Sequence, residues 1–113
     1  MHITEWQRLA LRTKADYDSP EEQLTCAVLG LVGESGELAE KVKKWRYQGH
    51  ELDLDALEEE GGDVSWYLML YIDALEQLGG TCGIMWLIQR NLNKLAKRYP
   101  DGFEVERSVN REE

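Results

Sequence analysis

Cysteine, proline, phenylalanine and histidine are scarce in this chain: two Cys, two Pro, one Phe and two His among 113 residues. Cys26 and Cys82 are too few for a disulfide-stapled scaffold, and they have neither metal nor redox spacing. They read as reduced residues in or near the core. Pro20 and Pro100 sit at element boundaries, so no proline interrupts a helix between them. His2 and His50 stand apart, and neither has a Glu three residues before it. Positive charge is also short: 13 Lys and Arg face 22 Asp and Glu, for a net charge of −9. That balance argues against binding a nucleic-acid polymer, but it leaves room for a nucleotide held through a metal ion. No apolar run reaches the ~18 residues of a membrane span. The opening MHITEWQRLA lacks a signal peptide's apolar core, which makes the cytoplasm the expected location. Strand-like alternation of any length is missing.

What is present is helical. A chain of this length makes one domain and buries roughly 65% of its unfolded surface. The first helix is expected from about Thr4 to Tyr17, with Thr4 and Gln7 as a capping box. Ser19-Pro20-Glu21-Glu22 opens the second, with Ser as N-cap and Pro at the first position, and it runs to about Tyr47 before Gly49. The third spans about Asp53 to Leu78 and stops at Gly79-Gly80. Thr81 caps the fourth, which runs to about Tyr99. Short connections make this an all-α antiparallel four-helix bundle over residues 1–100. A polar, loosely specified tail, DGFEVERSVNREE, follows over 101–113.

Two pairs of carboxylates carry the chemistry. Glu34 and Glu37 lie in LVGESGELAEKVKK, and Glu60 and Asp63 in EEEGGDVSWYL. Each pair has i,i+3 spacing and so projects from one face of its helix. Antiparallel packing would gather all four, and such a group needs something positive to join it. At about 100° per residue the third helix's apolar stripe holds Leu57, Val64, Tyr67, Leu68, Tyr71, Leu75 and Leu78. Glu60 falls inside that stripe and Asp63 on its edge, whereas Glu58, Asp73 and Glu76 fall on the far face, where solvent is expected. In the second helix Leu24, Val28, Leu31, Ser35, Leu38 and Val42 form the stripe, and Glu34 and Glu37 flank it. Gly61-Gly62 and Gly30, Gly33 and Gly36 are costly inside helices, by roughly 1 kcal/mol each against Ala. Close approach of backbone to a ligand or to a neighbouring helix would account for them. Without Glu-x-x-His pairs a di-iron bundle is disfavoured, and an all-carboxylate set favours Mg²⁺ or Mn²⁺.

A basic line accompanies the acids. Asn91, Lys94 and Arg98 share one flank of the fourth helix, beside the stripe of Ile84, Ile88, Leu92, Leu95 and Tyr99. They suit phosphates of a metal-bound nucleotide, or simply a solvated face. Lys44 and Arg46 are second-choice phosphate contacts that also suit a helix C-terminus. Tyr67, one turn beyond Asp63, is placed to stack on a base or to fill the core. Trp66 and Trp86 lie off the main stripes. The third helix is apolar nearly all round from Val64 to Ile72, which implies burial on every side and at least a dimer.

With these residues in place, the chain resembles the MazG-like nucleoside triphosphate pyrophosphohydrolases, the all-α type with a Glu-x-x-Glu … Glu-x-x-Asp motif. LGLVGESGELAEKVKK, EEEGGDVSWYL and NLNKLAKRYPDGF carry the likeness, with EWQRLALRT and SVNREE familiar from short phage and bacterial members. The resemblance implies that Glu34, Glu37, Glu60 and Asp63 bind Mg²⁺, and that a nucleoside triphosphate is hydrolysed to monophosphate and pyrophosphate. It implies nucleotide contacts from Asn91 and Lys94, an aromatic role for Tyr67, and a homodimer or homotetramer. Gly61-Gly62 departs from the family's usual apolar residue before a single Gly. The mechanism expected is attack at the α-phosphorus, with Glu37 or Glu34 as the carboxylate that takes a proton and Lys94 and Arg98 on the departing pyrophosphate. Two other classes compete. One is a non-catalytic acidic module that docks a protein or a metal-nucleotide; the other is a metal-storage or redox bundle, which the missing histidines disfavour.

Overall fold

Capping residues and glycines set the helix ends in the computed structural model, which describes residues 1–80 and 83–110. The helices are α1 (Ile3–Leu11), α2 (Pro20–Tyr47), α3 (Leu54–Gln77), α4 (Ile84–Arg98) and α5 (Val105–Val109). The described residues form no strand, only an isolated bridge between Pro100 and Gly102. At the start of α2 the Ser19 hydroxyl accepts from the Glu22 N–H at 3.1 Å, and at the start of α3 Asp53 accepts from the Ala56 N–H at 3.0 Å. Each such cap contributes about 1 kcal/mol. Gly49 (φ 75°) and Gly79 (φ 86°) turn the chain out of α2 and α3 in a conformation open to glycine.

Three boundaries differ from expectation. α1 starts at Ile3, with His2 as an N-cap that makes no side-chain cap bond, so the Thr4–Gln7 box does not form. α1 also ends six residues early, at Leu11. The Ala10 carbonyl there accepts from the Thr13 N–H (3.1 Å), the Thr13 hydroxyl (2.8 Å) and the Trp66 indole N–H (3.0 Å). Those donors take the carbonyl that would continue the helix. In the tail, Val105–Val109 is a short helix rather than loose chain. The Thr81 cap and the placement of Cys82 lie outside the described residues, as do positions 111–113 of the tail. Cys26 is a half-buried free thiol that accepts from the Tyr17 hydroxyl at 3.5 Å.

α2 and α3 form the principal packed pair, with α1 against α3 and α4 against α1. Contacts run in opposite order along α2 and α3: Gln23 meets Leu70, Gly30 meets Tyr67, and Lys41 meets Glu60. The pair is therefore antiparallel. Met69 and Ile72 from α3 and Ile84 from α4 form the central cluster, with Trp6, Leu11, Leu68, Tyr71 and Leu87 around it. One chain thus buries the apolar stretch of α3 on most sides, and Trp66 packs beneath α1. Within that stretch Met69, Leu70 and Ile72 are buried by the one chain, while Val64 to Leu68 stay half-buried.

The exposed apolar surface lies elsewhere. The face that α2 turns to α3 is built from Gln23, Ala27, Gly30 and Glu34, small or polar residues, with Gln23 and Ala27 buried. This leaves Leu29 66% and Val32 67% exposed, with Val28 also open. In α4, Ile88, Leu92 and Leu95 stay exposed beyond the first turns. The radius of gyration is 17.3 Å, against about 13 Å for a compact domain of this length. The four-helix bundle expected from the sequence is incomplete within one chain.

Candidate metal centre

α2 and α3 bring three carboxylates together where Gly33–Glu37 passes Glu60. Glu34, Glu37 and Glu60 each offer an oxygen within 4.8 Å of the others. Glu60 is 7% exposed, Glu34 half-buried and Glu37 open to solvent. Asp63, one turn on from Glu60, is exposed and stands outside this group of three, although its charge reaches Glu34. Gly33, Gly36, Gly61 and Gly62 have open space where a Cβ would project. Close packing within the chain therefore explains none of these four. It does explain Gly30, where the Tyr67 ring occupies the volume that a Cβ would need.

The electrostatics follow from the crowding. The Lys41 ammonium donates to Glu60 Oε1 at 3.1 Å. That bond, more than any other contact, holds Glu60 below the ordinary carboxylate range. Glu34 is pushed up to about 7, first by the hydrogen bond its protonated form shares with Glu60, then by burial and by the charges of Glu37, Glu60 and Asp63. With both groups ionised, Glu34 Oε2 and Glu60 Oε2 are buried with no donor facing them. Buried carboxylate oxygens without donors are costly, and a hard cation is the partner that satisfies several at once. The donors are all oxygens, which fits Mg²⁺ or Mn²⁺ and offers nothing to a thiophilic metal.

The other sequence-marked residues are placed less closely. Asn91 and Lys94 are exposed and Arg98 is half-buried, and no hydrogen bond or ion pair links them to the carboxylates within the described chain. Lys44 is half-buried and lies 3.9 Å from Glu40. The Arg46 guanidinium stacks over Trp45 at 5.4 Å and Tyr47 at 6.0 Å. Tyr67, half-buried on Gly30, meets Trp66 edge to face at 5.0 Å.

Two features went unmarked in the sequence. Lys41 is one: it stands seven residues after Glu34 and four after Glu37, spacings that put it on their face. The other corrects the reading of Asp73 as a solvent-facing acid. Its Oδ2 accepts from Lys14 (2.9 Å), Gln23 (2.8 Å) and Gln77 (2.8 Å), while Gln23, 2% exposed, also donates to the Leu70 carbonyl. Donors from the α1–α2 connection and from α2 cannot be seen on a wheel of α3 alone.

Two antiparallel helices thus hold a Glu-x-x-Glu carboxylate pair against a buried Glu of a second pair, an all-α site whose oxygens could hold a divalent cation. Residues 22–103 match the MazG nucleotide pyrophosphohydrolase domain, and the chain belongs to that family. It is also similar to the Gene 37 protein of Mycobacterium phage L5, at 37% identity over 114 residues covering 90% of this chain and 92% of the phage protein. No solved structure matches significantly.

Proposed function

We propose that the protein hydrolyses a nucleoside triphosphate, ribo or deoxy, to the monophosphate and pyrophosphate in a Mg²⁺-dependent reaction, with Mn²⁺ as a substitute. The observation that carries this reading is the trio Glu34, Glu37 and Glu60 with its two unpartnered buried oxygens. These residues, joined by Asp63 from the next turn of α3, would hold the metal. When bound, the ion supplies charge neutralisation of the phosphates and activation of a water molecule.

The chain's own groups fit the remaining work. Water attacks the α-phosphorus, the bond to the bridging oxygen breaks, and the water's proton passes to a carboxylate. Glu37 is open to water, which suits it to that transfer, with Glu34 as the second candidate. Asn91, Lys94, Arg98 and Lys44 serve as contacts to the phosphates, and Tyr67 as the stacking partner for the base. Within one chain the basic line of α4 makes no bond to the acids, and the apolar faces of α2 and α4 are uncovered. A homodimer or homotetramer in which a second copy's α4 completes the site accounts for both. A role in clearing aberrant or surplus nucleotides is consistent with this chemistry. A module that docks only a protein has no use for donorless buried carboxylates, and one that holds a metal-nucleotide without turnover would release no pyrophosphate.

The test is pyrophosphate release from a panel of NTPs and dNTPs, with Mg²⁺ or with EDTA. Wild type should act on at least one substrate only when metal is present, and Glu60→Gln and Glu37→Gln should fall to background. Wild type at background throughout would end the enzymatic reading, and activity surviving in both variants would end the site assignment.

A further inference from the structure

Lys41 faces two places at once. Its ammonium bonds Glu60 Oε1 at 3.1 Å, on the edge of the carboxylate trio. It also lines a cavity of about 250 Å³ between the end of α2 and the start of α3, with Lys44, Trp45, His50, Leu52 and Leu57 among its walls. Its side chain is 41% exposed, whereas that of Glu60 is 9% exposed. One partner of this ion pair is therefore free to move, and the other is fixed in the helix interface.

A single ammonium does not balance the group it touches. Three carboxylates converge, Lys41 satisfies one oxygen of one of them, and Glu34 Oε2 and Glu60 Oε2 keep no partner. A divalent cation bound by these oxygens would concentrate positive charge within a few ångströms of the Lys41 nitrogen. The two cations then draw on the same Glu60 carboxylate, and the dication, reaching several oxygens at once, prevails. Lysine's long flexible stem allows its ammonium to leave without moving α2. On leaving, it has the neighbouring cavity to enter, whose walls carry Glu51 and Asp53 as well as Lys44.

We propose that Lys41 is a displaceable counter-cation: a divalent ion entering the carboxylate cluster takes Glu60 from it, and the freed ammonium then holds a phosphate oxygen of the incoming anion. This rests on the metal-dependent reading above and gives it an order, metal first and phosphate chain second. Lys41 then opposes metal binding and favours anion binding, two effects of opposite sign from one side chain.

The experiment titrates Mn²⁺ into the whole EDTA-stripped chain by calorimetry, then inorganic pyrophosphate at fixed free Mn²⁺. The proteins are wild type, Lys41→Gln, Lys41→Arg, Lys43→Gln and Glu60→Gln, each checked for folding by its melting curve. Lys41→Gln should bind Mn²⁺ about fivefold more tightly, the scale of one part-exposed ion pair removed. It should bind pyrophosphate about tenfold more weakly, the scale of one charge-assisted hydrogen bond lost. Lys41→Arg should keep both constants near wild type. Lys43→Gln, which removes a charge paired with Glu40, should move neither. Weaker or unchanged Mn²⁺ binding in Lys41→Gln would overturn the proposal, because Lys41 would then only position Glu60. Unchanged pyrophosphate binding would also overturn it. If wild type shows no Mn²⁺ binding that Glu60→Gln abolishes, the metal reading itself fails, a result distinct from either of those.

Discussion

Glu34 couples the protein's stability to its chemistry, because the fold holds its carboxyl among three other acids. Its affinity for a proton is raised from the ordinary 4.5 to about 7. A raised carboxyl contributes stability below its unfolded value and loses that contribution as pH rises through the folded one. In EDTA, therefore, wild type should lose melting temperature relative to Glu34→Gln as pH rises from about 4.5 to 7, and the difference should level off above that. Mg²⁺ should reverse the trend, since a metal competes with the proton and binds only the folded chain. A flat difference across that window would mean that the acids do not repel each other as placed. Glycines give a second residue-scale prediction. Gly30→Ala forces a methyl group into the Tyr67 ring and should cost about 1–3 kcal/mol. Gly61→Ala, where a Cβ meets nothing, should raise stability in EDTA by about 0.5–1 kcal/mol through helix propensity. Urea denaturation of both should give opposite signs; matching signs would refute the placement of Tyr67 on Gly30.

At the scale of elements, local chemistry was legible and long-range chemistry was not. Ser19-Pro20 before α2 and the glycines after α2 and α3 act on their own neighbours, so the sequence marks these ends. The end of α1 is shared between Thr13, close by, and Trp66, more than fifty residues away, and the indole's part cannot be read from the sequence near Leu11. Glu60 could be found because an acid between Leu57 and Val64 stands out against its stripe. The inward face of α2 could not, because the wheel assigns the core to apolar residues, and this helix turns Gln23, Ala27, Gly30 and Glu34 inward instead. Asp73 joins the elements: burial pushes its proton affinity up, but hydrogen bonds from Gln23, Lys14 and Gln77 outweigh that and hold it below the ordinary value. A depressed carboxylate stabilises above its unfolded value and loses that stabilisation as pH falls through the folded one. Asp73→Asn should therefore cost about 1 kcal/mol at pH 7, a figure at the low end because Lys14 is part-exposed. The cost should shrink as pH falls below about 4, where the unfolded chain takes up the proton more readily than the folded one. Equal losses at pH 7 and pH 3 would show that the network does not depend on charge.

For the molecule as a whole, charge and apolar surface pull in opposite directions. Leu29 and Val32 on α2, and Ile88, Leu92 and Leu95 on α4, present apolar faces that the single chain leaves open. A stable dimer needs roughly 800 Å² from each partner. Each copy nevertheless carries a net charge of −9, so association works against mutual repulsion. Salt screens that repulsion over a Debye length of about 8–10 Å at 0.1–0.15 M and leaves apolar burial largely intact. Light scattering across a salt series should therefore show association tightening from low salt to 0.15 M. Divalent metal should act in the same direction at far lower concentration, because it cancels charge at the carboxylate cluster itself. Leu29→Glu with Val32→Glu should give a helical monomer, and that monomer should release pyrophosphate far more slowly if a second copy's α4 is needed at the site. A wild-type monomer at every salt and metal concentration, still fully active, would place Asn91, Lys94 and Arg98 outside the reaction and leave the phosphates to Lys41 and Lys44 of the same chain.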